Sequence, residues 1–260
     1  MKIVVKVGTS TLAHSTGRMN IRHVEELVKV LSDLKNAGHQ VVLVSSGAIG
    51  MGVGKLMLPG RPVDMPTKQA AAAVGQCELM YTYDRLFAAY HHTVAQVLLT
   101  GEDIHCEKRY RNVRNTLSRL LELNTIPIIN ENDAVATDEI GVENTIGEND
   151  TLSAIVCNLI GGDLLVILSD IDGLFTADPR KDAAATLIHE VAEITPELEA
   201  LAGGSGSALG SGGMATKIKS AKLVNQQGGD MVIINGSSPE LLYDVLEGKP
   251  VGTRFLGRKR

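Results

Sequence analysis

The chain has 260 residues and a formal net charge of −5, enough length for one large buried core or two modest lobes. That acidity argues against a nucleic-acid surface, since such domains are strongly basic, and the end Arg258-Lys259-Arg260 reads as a solvated tail. Cys77, Cys106 and Cys157 are isolated, odd in number and in no metal-ligand spacing, which suits a reducing cytoplasm. No stretch reaches membrane-span length, and Lys6 ends an N-terminal apolar run too short for a signal peptide.

Short apolar runs alternate with helical patterns from end to end. Ile3–Val7 is a first strand, after which Asn20 caps a helix carrying Ile21, Val24, Leu27, Val28, Leu31 and Leu34 on one stripe and stopped at Gly38. Gln40–Val44 is a second strand, Thr67–Tyr90 a long helix, Val94–Leu99 a third strand, and Arg109–Leu123 a further helix. Strand Ile126–Asn130, helix Asp150–Ile160 and strand Leu164–Ser169 follow. Helix Lys217–Gln227, strand Met231–Asn235 and a final helix capped by Ser238 complete the order, with Pro239 at its first position and Gly248 past its end. Continuous buried strands, each followed by a helix, predict an α/β fold with a mostly parallel sheet covered on both faces.

Ligands in open α/β sheets sit at the carboxyl ends of strands. Those ends read Lys6-Val7-Gly8-Thr9-Ser10, Ser45-Ser46-Gly47-Ala48, Asn130-Glu131-Asn132-Asp133, Ser169-Asp170-Ile171-Asp172 and Asn235-Gly236-Ser237. Such gathering of glycines and polar groups is the pattern of an enzyme. A further run, Gly210-Ser211-Gly212-Gly213-Met214-Ala215-Thr216-Lys217, opens a helix. Glycines there leave room for an anion against free N–H groups at the positive end of the dipole, and Lys217, a turn in, can return to the same anion. The run is not a Walker A motif, which needs Gly-Lys followed by Ser or Thr. Nor is it a dinucleotide fingerprint, because the glycine-rich segment before it cannot be a buried strand.

Lys6, on a strand expected to be central, is costly to bury unless it faces an anion. Lys6 and Lys217 can approach one phosphoryl group, and phosphoryl transfer is mostly positioning and charge neutralisation. Asp150 opens a helix, where an aspartate is ordinarily a cap, and that role is compatible with orienting the two lysines. Asp170, Asp172 and Asp178 stay open between ribose, Mg²⁺ and plain turn roles, since Mg²⁺ takes few protein ligands beside phosphates.

In this order, Lys6-Val7-Gly8-Thr9-Ser10, Ser45 to Ile49, Ile129 to Val135, Asn149-Asp150-x-Leu152-Ser153-Ala154 and Ser211 to Lys217 resemble the amino acid kinase family over nearly the whole chain. The Asn-Glu-Asn-Asp-Ala-Val run is particular to its glutamate-phosphorylating members. The resemblance implies a three-layer α/β/α sandwich and a single domain over 1–260, with an amino-acid-binding half of about 1–160 and a nucleotide-binding half of about 161–260. It implies transfer of the ATP γ-phosphoryl, with Mg²⁺, to the side-chain carboxylate of L-glutamate, toward proline. Lys6 and Lys217 would neutralise the phosphoryl group while Asp150 orients them. Ser46, Asp133 and Asn149 would bind glutamate, and Lys6, Ser169, Asp170 and the run Ser211, Gly212, Gly213, Met214, Ala215, Thr216 and Lys217 would contact ATP. No metal ligand is assigned. Homo-oligomerisation and feedback inhibition by proline are implied as well, with no nucleic-acid or membrane partner and a cytoplasmic location.

Many family members continue into an extra C-terminal RNA-modification-type domain, which this chain, ending at Arg260, is expected to lack, and the segment from Ala134 to Glu148 reads as a few residues longer than in some relatives. Two alternatives stand beside this expectation. One is a member acting on N-acetylglutamate, a substrate without the free amine that Asp133 suits; the other is a catalytically silent amino-acid or nucleotide sensor, which intact Lys6, Asp150 and Lys217 oppose.

Overall fold

The computed structural model describes residues 1–14, 18–136, 148–182, 184–203 and 213–257. The strands are β1 (Lys2–Val7), β2 (Gln40–Ser45), β3 (Val94–Leu99), β4 (Ile126–Glu131), β5 (Leu164–Ser169), β6 (Glu190–Val191), β7 (Asp230–Asn235) and β8 (Thr253–Phe255). Between them run helices α1 (Thr9–Leu12), α2 (Ile21–Asn36), α3 (Ala48–Lys55), α4 (Met65–Ala88), α5 (Gly101–His105), α6 (Glu107–Glu122), α7 (Asn149–Ile160), α8 (Pro196–Gly203), α9 (Met214–Gln226) and α10 (Leu241–Leu246). Two compact units result, Met1–Lys6 with Glu148–Arg260, and Val7–Gly147.

In the first unit the strand order is β1-β5-β7-β8-β6. β5 and β7 pair in parallel from Leu164↔Asp230 to Ser169↔Asn235, while β8 turns antiparallel against β7. Leu164 to Leu168 and Met231 to Ile234 are buried at every position, the run expected of strands covered on both faces. Because β5 and β7 end in register, Ser169 and Asn235 come out side by side at their carboxyl ends.

In the second unit the order is β3-β4-β2, all parallel. β2 and β4 supply its core through Val41 to Val44, Ile126, Ile128 and Ile129. α2 starts where the sequence predicts, with Asn20 Oδ1 accepting from His23 N at 3.4 Å, and Gly38 follows it at φ +92°. α4 starts two residues before the expected Thr67, since Asp64 is its cap and accepts from Thr67 N at 2.9 Å.

Two differences from expectation have identifiable causes. The last helix begins at Leu241, not at Pro239, because Ser238 and Pro239 form turns whose carbonyls accept from Leu241 N and Leu242 N. α3 carries Gly50, Gly52 and Gly54, poor helix formers, yet it is helical. Gly52 answers a packing demand, since a Cβ there would collide with the Ala71 carbonyl, as one on Gly75 of α4 would with the Ala48 carbonyl. α3 and α4 therefore pack backbone to backbone, which fixes α4 against the segment that follows β2.

Candidate functional site: a buried lysine–aspartate–lysine unit

Within the first unit, three elements bring one carboxylate between two ammonium groups. β1 carries Lys6, α7 carries Asp150 as its second residue, and α9 carries Lys217 in its first turn. Lys6 Nζ lies 2.6 Å from Asp150 Oδ1, and Lys217 Nζ lies 3.0 Å from Asp150 Oδ2. The Asp150 side chain is 1 % exposed and that of Lys217 is 7 % exposed. α7 and α9 are held together near the far end of α7 by Asn158 Nδ2 donating to Leu223 O at 3.0 Å. Leu152, Val156, Ile218 and Val224 are buried on these two helices.

Burial alone would raise the Asp150 carboxyl pKa, but the two lysines outweigh it and hold it below the ordinary aspartate range. Asp150 is thus an anion across the working pH range, and each of its oxygens is committed to one lysine. It is not the helix cap. Glu148 holds that position in α7, without a capping hydrogen bond from its side chain.

Glu148 is a residue that sequence reasoning missed. Its Oε2 is buried without a hydrogen-bond partner. Burial pushes its carboxyl pKa up; a Thr216 hydrogen bond and the charges of Lys217 and Lys6 oppose this, while Asp150 adds to it. Two acids and two lysines therefore meet within one buried cluster. A raised folded-state pKa means that ionising Glu148 costs the native state, so its penalty grows as pH rises from the unfolded glutamate value of about 4.3 through the folded one. Glu148→Gln is expected to gain thermal stability relative to wild type between pH 4 and pH 7. Thermal melts at the two pH values check this, and a difference in Tm that stays constant, or moves the other way, would contradict it.

The α9 start keeps the chemistry read from its sequence. Gly213 is the N-cap and offers no side chain, so the first-turn N–H groups of this 13-residue helix lack a side-chain cap. Gly213, Met214, Ala215 and Thr216 lie on this start, whereas Ser211 and Gly212 lie outside the described residues. Ser169, at the end of β5, is 6 % exposed and donates to Asp170 Oδ1 at 3.3 Å. Asp172 accepts from Asn235 Nδ2 at 2.7 Å. Asp178 accepts from Arg180 N at 3.0 Å, the turn role left open by the sequence. Asn149 is the first residue of α7, beside Asp150. Among the described residues no three His, Cys, Asp or Glu side chains converge as a metal site.

The second unit holds Ser46 and Asp133. Ser46 directly follows β2, its N–H donating to Val7 O at 3.1 Å. Asp133 lies in the turn after β4 and lines a pocket together with Ala48, Ala72, Gln76 and Asn132. Gln76 was not anticipated; it is 7 % exposed and its Oε1 accepts from Asn130 Nδ2 at 3.0 Å.

Comparison with known proteins gives the family and the fold. Residues 1–235 match the model of the amino acid kinase family. The chain is 52 % identical over 258 residues to glutamate 5-kinase of Clostridium perfringens, covering 99 % of this chain and 96 % of that one. It is 54 % identical over 253 residues to glutamate 5-kinase of Clostridium tetani, covering 97 % and 93 %. Among solved structures, carbamate kinase from Giardia lamblia bound to AMP-PNP superposes with a TM-score of 0.70 at 18 % identity, over 98 % of each chain. UMP kinase from Bacillus anthracis gives 0.67 at 14 % identity, over 99 % of this chain and 96 % of that one. These two likenesses give the fold, the expected α/β sandwich with a mostly parallel sheet. The near-full-length matches at about half identity carry the rest, and the chain belongs to the amino acid kinase family, among its glutamate 5-kinases.

Proposed function

We propose that the Lys6–Asp150–Lys217 unit is the phosphoryl-transfer apparatus of an ATP-dependent glutamate 5-kinase, which makes L-glutamyl 5-phosphate as the first step toward proline. The observation that carries this reading is one buried carboxylate holding two ammonium groups, at 2.6 and 3.0 Å. The trio by itself carries one net positive charge, and burial disfavours the charged form of the neighbouring Glu148, so the trio keeps attraction for an anion. Charge moves onto the transferred phosphoryl oxygens and the bridging oxygen in the transition state, and fixed ammonium groups in a dry site stabilise it without reorganising. Asp150 keeps both lysines in place without taking a proton. No general base is required, because the attacking side-chain carboxylate of glutamate is already ionised at neutral pH.

Division of labour follows the positions of the residues. The uncapped start of α9, with Gly213 to Lys217, offers N–H groups to ATP phosphates, and Ser211 and Gly212 extend this run; Ser169 and Asp170 take other parts of the nucleotide. Mg²⁺, bound with the nucleotide, would neutralise phosphate charge during transfer and would take few ligands from the protein. Asp133 pairs with the glutamate α-ammonium, while Ser46 and Asn149 donate to its carboxylates. Proline shares the α-nitrogen and α-carboxylate but has no side-chain acceptor, so an inhibitory site at or beside the Asp133 pocket is chemically suited to it. A cytoplasmic homo-oligomer completes the reading; the free cysteines fit that compartment, and among the described residues no helix is long and apolar enough to cross a membrane.

Asp133→Asn tests the assignment on the substrate side. Losing a charge-assisted pair to the ammonium is expected to raise KM for glutamate about 10- to 100-fold, with KM for ATP little changed. Steady-state kinetics with each substrate varied in turn measure this. An unchanged KM for glutamate would remove Asp133 from the pocket.

A further inference from the structure

α4 buries two polar side chains seven residues apart, Gln76 and Tyr83, on the face turned to the strands. Tyr83 is fully buried, and its Oη lies 2.9 Å from Ser45 Oγ, itself on a residue 1 % exposed. Ser45 Oγ in turn donates to the Ser46 carbonyl at 3.2 Å. A hydroxyl has one proton. Either hydroxyl can donate across the Tyr83–Ser45 contact; with that of Ser45 turned to Ser46 O, the phenol is the donor to Ser45. The result is a hydrogen-bonded chain that links the Tyr83 phenol through the Ser45 hydroxyl to the Ser46 main chain. Gln76 makes the equivalent contact one strand over, accepting from Asn130 Nδ2 at 3.0 Å, three residues before Asp133.

Phenylalanine at 83 and alanine at 45 would fill this core without desolvating two hydroxyls, a cost recovered only through their mutual hydrogen bonding. What the polar pair adds is direction, because a satisfied buried network fixes one arrangement of the groups it holds. Both ends of this device lie on β2 and β4, next to Ser46 and Asp133. Backbone-to-backbone packing at Gly52 and Gly75 seats α4 so that its side chains reach those strand ends.

We propose that Tyr83 is a positioning residue for amino-acid binding, acting through Ser45 on Ser46, and that Gln76 steadies the Asn130–Asp133 segment in the same way. This rests on the reading of Ser46 and Asp133 as glutamate-binding residues. Neither Tyr83 nor Ser45 touches the substrate in this account, whereas Gln76 also lines the Asp133 pocket.

The experiment is steady-state kinetics of the full chain with glutamate and ATP, alongside thermal melts, for Tyr83→Phe, Ser45→Ala, their double variant, Ser46→Ala and Phe87→Leu. Loss of one buried hydrogen bond is expected to raise KM for glutamate roughly 3- to 10-fold in Tyr83→Phe, with kcat and KM for ATP held within about twofold. The double variant is expected to be no worse than Ser45→Ala alone, because the chain acts as one unit. Phe87 packs beside Tyr83 with ring centroids 6.3 Å apart; Phe87→Leu is expected to lower Tm and leave KM for glutamate unchanged. A KM for glutamate within twofold of wild type in Tyr83→Phe overturns the proposal, as does an equal rise in Phe87→Leu. Ser46→Ala separates the two levels. If it raises KM for glutamate while Tyr83→Phe does not, positioning fails alone; if neither variant moves it, the role of Ser46 fails too.

Discussion

Lys217→Ala is expected to lower kcat on the order of 10²-fold or more, the scale seen when a fixed donor to transition-state charge is removed. The lysine is 7 % exposed along its side chain and its ammonium lies 3.0 Å from Asp150. It is therefore held in place before any substrate arrives. Alanine removes the charge and leaves Asp150 paired with Lys6 at 2.6 Å, so one ion pair survives, while Glu148, without the Lys217 charge, is pushed further toward its neutral form. For this reason the loss falls on kcat more than on stability. KM for glutamate is expected to change little, because Ser46 and Asp133 are untouched. Arginine is no substitute: a planar fork replaces a compact point charge at a site built for the latter, so Lys217→Arg is expected to recover only a small part of the rate. ADP release under saturating substrates gives the number, and turnover within a few-fold of wild type in Lys217→Ala would refute the two-lysine mechanism.

Asp150→Asn acts on both axes at once. It leaves Lys6 and Lys217 without their shared counter-ion, and removing one partner from a buried pair costs about 3–5 kcal/mol, mostly the penalty of the uncompensated charge. The variant is expected to lose kcat at least as severely as Lys217→Ala and, unlike it, to melt at clearly lower temperature. A pH signature separates this from generic damage. The Asp150 pKa is depressed in the folded state despite burial, because the lysines prevail. Its contribution to stability is therefore complete above the unfolded aspartate value of about 3.9 and is lost as pH falls through the lower folded value. Wild type should lose stability across that acid window more steeply than Asp150→Asn. Parallel acid denaturation curves for the two proteins would show that the carboxylate is not held by the lysines.

The sequence revealed the elements wherever local chemistry dictates them. Asn20 before the Val24–Leu31 stripe, and Gly38 after it, mark a helix by cap and stop, and both were legible. The buried strands were legible as unbroken apolar runs such as Leu164 to Leu168. α3 was not, because Gly50, Gly52 and Gly54 speak against a helix until Gly52 is seen against the Ala71 carbonyl. Its reason lies in a neighbour many residues away. Lys6 and Lys217 could be paired from the sequence by charge logic alone, since a lysine on a buried strand needs an anion. Asp150 was harder: an acid at a helix start is a cap by default, and only its geometry with both lysines shows the carboxylate spent on them. Glu148 could be read only as an ordinary acid before a helix, while its burial comes from α9. The Tyr83–Ser45 contact, between residues 38 apart, leaves no local trace at all.

The central claim is that the buried trio transfers phosphate to the side-chain carboxylate of free glutamate. Trapping the acyl phosphate with hydroxylamine, and comparing hydroxamate formed from L-glutamate and from N-acetylglutamate in the presence of ATP and Mg²⁺, tests it most directly. The account predicts ATP-dependent hydroxamate from glutamate and little from the acetylated substrate, whose nitrogen cannot pair with Asp133. A strong preference for N-acetylglutamate, or no hydroxamate from glutamate, would contradict it.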